Sequence, residues 1–248
     1  MNLKKIIFLA GFIFLSSAGY VFLAPAVASA VPCPTATLAV YIGFGAGGCT
    51  VTDKLFFDFA YLSSAVGATP IPATGITVTP IVLPGDPGLL FSAGWVAGPG
   101  VTLDSLIFYT VETGGALIKD NSLGIAGVAT TGTGIVTVAE NKCLGGLFSP
   151  SPFGTLCTPP GTPMVTLFVF DTPGFFDVFD TIVFSPVAFI DVIKDITVSG
   201  GFEGIASLSA VSQQFSQVVP EPSTFVLFGS ALLGLAGMRR LRVRLLMS

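Results

Sequence analysis

Residues 54–59 are Lys-Leu-Phe-Phe-Asp-Phe and residues 76–79 are Ile-Thr-Val-Thr, two stretches in which apolar side chains recur at every second position. In the first stretch, Leu55, Phe57 and Phe59 would lie on one side of an extended chain. A period of two is typical of a β-strand with one buried face, whereas a helix repeats its apolar positions about every 3.6 residues. The local pattern therefore predicts strands.

Eight further stretches share this composition, and turns rich in Gly and Pro separate them. They cover residues 89–96, 103–112, 122–129, 134–140, 164–170, 181–190, 193–198 and 205–217. Val, Ile, Thr and Phe fit the pleated, half-buried surface of a strand, and strands spaced by turn residues are typical of sandwiches and jelly rolls. We therefore predict one all-β body over residues 31–219, an antiparallel two-sheet sandwich or jelly roll.

The first thirty residues have the parts of a secretory signal peptide. Lys4 and Lys5 precede an uncharged apolar run, and Ala28 and Ala30 form a small-residue cleavage site after it. We expect residues 1–30 to be cleaved off during export. An uncleaved membrane anchor is the alternative.

The last part of the chain, residues 220–248, has an apolar stretch between two short motifs. In order, it contains Pro220, Glu221 and Pro222, the uncharged stretch 225–238, and then Arg239 and Arg240. As a helix, the uncharged stretch would be about 21 Å long, which is short for a hydrocarbon core of about 30 Å. We expect a short transmembrane helix whose basic tail stays in the cytoplasm, so that residues 31–219 lie outside the cytoplasmic membrane.

This succession resembles the PEP-CTERM sorting signal of exported bacterial proteins, over about residues 219–244. The resemblance implies recognition by an exosortase-type membrane enzyme, which cleaves near the Pro-Glu-Pro motif and releases the product or attaches it to the cell surface. It also implies a host that makes exopolysaccharide. The signal is an address and implies no activity. A plain C-terminal membrane anchor is the alternative.

The composition excludes several classes of function. The chain has no His, which removes His-based triads and His-ligated metal sites. Residues 31–219 contain thirteen acidic and four basic residues, hence a net charge of −9. Because phosphate binding needs clustered Lys and Arg, this balance argues against nucleic acid and anionic lipid as partners. It is compatible with cations, neutral glycans or other proteins.

Four cysteines remain after removal of the signal peptide, namely Cys33, Cys49, Cys143 and Cys157. An even number in an oxidising compartment predicts disulfides. Of the three pairings, we favour Cys33–Cys49 and Cys143–Cys157, because each brackets a short segment rich in Gly or Pro. Each bond would contribute about 3 kcal/mol on the chain-entropy model. A four-thiolate metal site is the alternative, but no C-x₂-C pair supports it.

Three carboxylates, Asp171, Asp177 and Asp180, surround a Pro-Gly turn and are candidate oxygen ligands for Ca²⁺. They do not have the spacing of an EF-hand loop, and hydrated aspartates that cap a turn are the alternative. The same residues are the candidate acid/base pair for glycan hydrolysis. No cofactor is expected apart from this Ca²⁺ alternative.

Other polar and aromatic candidates have structural explanations. On a strand, Asp191 and Asp195 would face one side and Lys194 the other, at a solvated strand end. The G-x-G-x-x-G match at residues 43–48 runs into a cysteine and a strand, so a disulfide-closed turn is favoured over a nucleotide site. Trp95 is expected in the core, with a sugar-stacking platform as the alternative.

The resulting hypothesis is an exported, non-catalytic cell-surface or extracellular-matrix protein. Its expected partners are an exosortase-type enzyme, the membrane through the C-terminal helix before processing, and exopolysaccharide. The alternative is a Ca²⁺-assisted glycan-binding module, followed by a carboxylate-dependent glycan hydrolase.

Overall fold

The computed structural model describes residues 31–218. The expected signal cleavage at Ala28 and Ala30, the motif at residues 220–222, the apolar stretch and the arginines Arg239 and Arg240 lie outside the described residues. Among residues 31–218, no helix is both long enough and apolar enough to cross a membrane.

Strands dominate the described part of the chain. They are β1 (Val31–Pro32), β2 (Ala36–Thr37), β3 (Cys49–Val51), β4 (Lys54–Val66), β5 (Thr77–Ile81), β6 (Gly88–Ala97), β7 (Thr102–Thr113), β8 (Ile118–Ala126), β9 (Ala129–Thr131), β10 (Ile135–Leu144), β11 (Leu147–Ser149), β12 (Leu156–Thr158), β13 (Met164–Thr172), β14 (Phe175–Asp177), β15 (Phe179–Val187), β16 (Phe189–Ser199) and β17 (Ile205–Gln214). One α-helix, α1 (Leu38–Gly43), and two 3₁₀ turns, Gly45–Gly47 and Ala73–Gly75, complete the described elements.

The strands form two large sheets that pack face to face. Sheet A has the order β1-β3-β4-β7-β16-β10-β13-β14, and sheet B has the order β15-β8-β17-β6-β5-β2, with β9 also pairing with β17. All neighbours are antiparallel except β1 and β3. A separate ribbon consists of β11 and β12. The predicted all-β, antiparallel two-sheet sandwich is confirmed.

The predicted strands are all present, but two local details differ. A short helix, α1, lies inside the loop that the Cys33–Cys49 disulfide closes, and its six residues are too few to show a helical period in the sequence. In β4 the register shifts between Phe57 and Ala60, with Asp58 at φ 54°. This bulge turns Phe59 into the core, so the expectation that Leu55, Phe57 and Phe59 share one side is wrong.

Inward-facing side chains of both sheets form one continuous core. Its largest apolar members are Trp95, Tyr41, Tyr109, Phe56 and Phe91, all fully buried. The indole N–H of Trp95 donates to Ser105 Oγ at 3.1 Å, so its one polar atom is satisfied. The lone tryptophan is therefore a core residue, and the sugar-stacking alternative is wrong.

Both favoured disulfides are present, Cys33–Cys49 and Cys143–Cys157. The first closes the glycine-rich loop: Gly48 has φ +57°, and a Cβ there would lie 2.4 Å from the carbonyl oxygen of Phe56. The glycines at residues 43–48 follow a helix and lead into a strand, which is the reverse of the strand–loop–helix order that a nucleotide site needs.

The close approach of Gly88 on β6 to the neighbouring strand β17 provides a test of how these two strands pack. A Cβ at Gly88 would lie 1.8 Å from the carbonyl oxygen of Gln213, whereas a Cβ at Gly94 in the same strand would meet nothing within 4 Å. We expect Gly88→Ala to lower the free energy of unfolding in urea by several kcal/mol. The matched variant Gly94→Ala should change it by less than about 1 kcal/mol. Equal effects at both positions would contradict this packing of β6 on β17.

Candidate functional site

The outer face of sheet A points away from sheet B, and residues 31–218 cover it at only one end. There the ribbon lies on the sheet: Phe148 and Phe153 pack against Phe108 and Ile193, and the Cys143–Cys157 bond ties β12 to β10. The ribbon does not extend over the rows of the outer face that contain Asp104 and Asp195, so this part is available to a ligand. We call this uncovered part the open face.

The strand register aligns the side chains of the open face in two cross-strand rows. One row contains Asp104, Thr197, Thr137, Phe170 and Asp177 from β7, β16, β10, β13 and β14. The next row contains Leu106, Asp195, Ala139 and Phe168. Each row therefore has carboxyl groups and an aromatic ring within a few strands of each other.

Two phenylalanines form the aromatic part of the open face. Phe168 and Phe170 lie two residues apart on β13, so both rings point outward, and their centroids are 5.9 Å apart with an interplanar angle of 27°. Phe168 is 46% exposed. The pair presents a flat apolar surface to solvent near the edge of sheet A.

Two carboxyl groups, of Asp104 and Asp195, form the polar part of the open face. Partial burial, the charge of Asp104 and a hydrogen bond with it raise the pKa of Asp195 to about 6. Asp104 Oδ1 is buried and accepts no hydrogen bond from an ordinary donor. A proton held between the two carboxyl groups would satisfy this oxygen and avoid two adjacent negative charges.

The structure does not bring the three predicted calcium ligands together. Asp171 accepts a hydrogen bond from the Thr130 hydroxyl, Asp177 is exposed on β14, and Asp180 accepts the backbone N–H groups of Phe168 and Thr181 at 3.0 and 2.8 Å. Within residues 31–218, no group of three or more acidic or Cys side chains is placed to hold a metal ion. Asp171 and Asp180 instead make hydrogen bonds that hold strands and turns, and Asp177 is exposed to solvent.

The expectation of a solvated strand end at residues 191–195 is wrong. Asp191 and Lys194 do point to opposite faces, but both are buried. Asp191 accepts the Thr110 hydroxyl at 2.6 Å and the backbone N–H of Phe148 at 2.9 Å. Burial raises the pKa of Asp191, and its hydrogen bonds fasten the ribbon to sheet A.

Three of the four lysines in the described residues, Lys54, Lys142 and Lys194, are fully buried, which the sequence analysis missed. Lys54 donates to Asp53 Oδ2 at 2.6 Å and to Gln217 Oε1 at 2.7 Å. The signal was present: Lys142 and Lys194 occupy positions that strand alternation assigns to the inner face of sheet A.

Glu140 is the buried anion beside the other two lysines. Lys194 Nζ donates to Glu140 Oε2, and Lys142 Nζ lies 2.7 Å from Glu140 Oε1. The amide of Gln213, on sheet B, donates to Glu140 Oε1 at 2.7 Å, and Tyr109 donates its hydroxyl to Gln213 Oε1. We call Glu140, Lys142, Lys194, Gln213 and Tyr109 the core polar cluster. It connects the two sheets through the middle of the sandwich.

The carboxyl pair of the open face generates a pH prediction. Because the folded pKa of Asp195 is raised, its ionisation opposes folding, so wild type should lose stability as the pH rises from 3.8 to about 6. Asp195→Asn should reduce this loss in urea titrations at a series of pH values. Asp104→Asn should lower the pKa of Asp195. An NMR titration of the Asp195 carboxyl carbon measures this change. Asp177→Asn is the matched control. If the pKa of Asp195 were the same in wild type and in Asp104→Asn, the pairing of Asp104 with Asp195 would be contradicted.

Comparisons with known proteins agree with the C-terminal pattern. The family model of the PEP-CTERM protein-sorting motif matches residues 218–240. No curated protein matches the chain at a significant level.

Solved structures with some likeness are distant from this chain. TmCBM61 in complex with beta-1,4-galactotriose is 9% identical, with 62% of this chain and 86% of that chain covered and a TM-score of 0.31. The low-affinity xylan-binding module CBM86 from Roseburia intestinalis is 9% identical, with 63% and 96% covered and a TM-score of 0.18. The glycosylation-associated Gap123 complex from Streptococcus agalactiae is 8% identical, with 63% and 26% covered and a TM-score of 0.25. TM-scores this low carry no argument about function. The sorting motif indicates a destination and no activity: the chain is an exported protein whose β-sandwich body is followed by a PEP-CTERM sorting signal.

Proposed function

We propose that this protein is a non-catalytic component of the cell surface or extracellular matrix that binds neutral polysaccharide through its open face. An exosortase-type enzyme processes the precursor at the Pro-Glu-Pro motif, after which the sandwich body remains outside the cell. The observation that carries the binding proposal is the Phe168–Phe170 pair beside hydroxyl and carboxyl groups on an uncovered sheet face.

The chemistry of this face suits a sugar chain. A stacked aromatic pair offers a flat apolar platform for the C–H faces of sugar rings. Asp177, Thr137 and Thr197 offer acceptors and donors for sugar hydroxyls along the same row. A long, shallow face with both kinds of group is what an extended polymer can contact at several rings at once.

The charge of the exterior favours a neutral polymer. Eleven of the thirteen carboxylates in residues 31–218 are at least partly exposed, since only Glu140 and Asp191 are buried. Of the four lysines in the same residues, only Lys119 is partly exposed. An anionic polysaccharide would be repelled by such a surface. The proposal needs no Ca²⁺, since Asp171 and Asp180 hold strands and turns and Asp177 alone of the three predicted ligands lies on the open face.

A glycan hydrolase has less support from the geometry. Hydrolysis needs two carboxyl groups on either side of a glycosidic bond, at least about 5 Å apart. The pair on the open face, Asp104 and Asp195, is in hydrogen-bond contact, which leaves no room for a substrate between them. We therefore favour binding without cleavage.

The binding proposal is tested with the aromatic pair. Phe168→Ala with Phe170→Ala should weaken binding of purified protein to the host's exopolysaccharide at least tenfold in calorimetric titration, because the stacking platform is lost. Phe202→Ala is the matched control, since Phe202 is 85% exposed outside the open face. Equal binding by all three proteins, or release of reducing ends by wild type, would contradict the proposal.

Sorting is tested separately with the C-terminal motif. Replacement of Pro220, Glu221 and Pro222 by alanines should leave the protein as an unprocessed membrane precursor in fractionated cells. The control is a triple alanine variant of Val82, Leu83 and Pro84, three exposed residues between β5 and β6. Normal processing of the Pro-Glu-Pro variant would refute motif-directed sorting and leave the binding proposal intact.

A further inference from the structure

The core polar cluster has one more amine than its carboxylate can neutralise. Lys142, Lys194 and Glu140 are each fully buried, and a buried ammonium without a counter-ion is very costly. Lys194 has a hydrogen bond to the carboxylate. Lys142 Nζ lies within ion-pair distance of it but outside hydrogen-bond geometry, and among residues 31–218 it has no other hydrogen-bond partner. Lys142 is therefore the amine that is less well paired with the carboxylate.

Burial has the same effect on the titration of both lysines. Desolvation lowers the pKa of Lys142 and of Lys194, against the attraction of Glu140. A neutral lysine amine in an apolar pocket is a nucleophile. For Lys142, the electrophile nearby is the side-chain carboxamide of Gln213.

The carboxamide of Gln213 and the amine of Lys142 both lie against one oxygen of Glu140. Gln213 Nε2 lies 2.7 Å from Glu140 Oε1, the same oxygen that lies 2.7 Å from Lys142 Nζ. Its carbonyl oxygen accepts a hydrogen bond from the buried Tyr109 hydroxyl, which polarises the carbonyl. Burial and the charge of Glu140 raise the pKa of Tyr109, so that the hydroxyl keeps its proton.

We propose that the core polar cluster forms an intramolecular isopeptide bond between Lys142 and Gln213. Lys142 Nζ attacks Gln213 Cδ, and Tyr109 stabilises the negative charge that develops on Oε1. Glu140 Oε1 takes one proton from Nζ and delivers it to Nε2. The Nζ–Cδ bond forms, the Cδ–Nε2 bond breaks, and one molecule of ammonia leaves. The reaction is redox-neutral and needs no cofactor.

The product would tie β10 of sheet A covalently to β17 of sheet B. The two disulfides do not do this, since Cys33–Cys49 lies at the edge of sheet A and Cys143–Cys157 joins the ribbon to sheet A. Unlike a disulfide, an amide bond also survives reducing conditions. Lys54 and Gln217 are the internal comparison: there the amine donates to the carboxamide oxygen itself, so its lone pair is not directed at the carbon.

Mass spectrometry of the full chain recovered after export tests this assignment. After reduction and alkylation, a digest of wild type should contain a peptide pair joined through Lys142 and Gln213 and lighter by one ammonia than its separate parts. Glu140→Gln and Lys142→Arg should give the two separate peptides. Lys54 and Gln217 should remain unlinked in the same digest.

A second variant keeps the test informative where Glu140→Gln or Lys142→Arg does not fold. Gln213→Glu retains an acyl carbon at the same position, so any bond there should form with loss of water in place of ammonia. Separate, full-mass peptides around Lys142 and Gln213 in folded wild type would overturn the proposal. A cross-link through Lys194 or Lys54 would overturn it as well.

Discussion

Glu140 is the anion on which the interior of the sandwich depends. It lies on the inner face of β10, directly opposite Lys194 in the register of sheet A, and it accepts the Gln213 amide from sheet B. In a medium of low dielectric constant, removing one partner of such a set leaves an uncompensated charge and costs about 3–5 kcal/mol. The two sheets are therefore held in one relative position by hydrogen-bond geometry, in addition to the non-directional packing of aromatic side chains.

The burial of lysines also determines the outer surface of the molecule. With three lysines inside, three of the four cationic groups in residues 31–218 are withdrawn from solvent, while most carboxylates of the same residues remain there. A charge of −9 over residues 31–219 thus understates how acidic the exterior is. Because the buried lysines leave an acidic surface, anionic partners would be repelled. The packing of the core thus influences which class of ligand the body can bind.

Much of this fold could be predicted from the sequence because strand patterning is local. Alternation of apolar residues and Gly/Pro turns located the long strands, and short loop lengths gave the disulfide pairing. The bulge at Asp58 could not be predicted, because the alternation before it continues smoothly into the wrong register. Closeness in sequence also did not make the three predicted calcium ligands one cluster. Asp171 pairs with Phe176 and so faces the opposite side of sheet A from Asp177, while Asp180 lies on β15 of sheet B.

The buried lysines were missed for a different reason. A rule that counts Lys as polar places it on the solvated face, yet Lys142 and Lys194 occupy inner positions of strands whose other inner residues are apolar. Such a position is a conflict between side-chain chemistry and strand period. Two of the interactions that resolve this conflict join strands far apart along the chain, because Glu140 and Lys194 are 54 residues apart and Glu140 and Gln213 are 73 apart. Lys142, in contrast, lies on the same strand as Glu140. Charged residues at the inner positions of an otherwise apolar strand are thus the sequence feature that indicates the core polar cluster. The open face, whose aromatic and carboxyl groups follow the strand period, is identified only once the register is known.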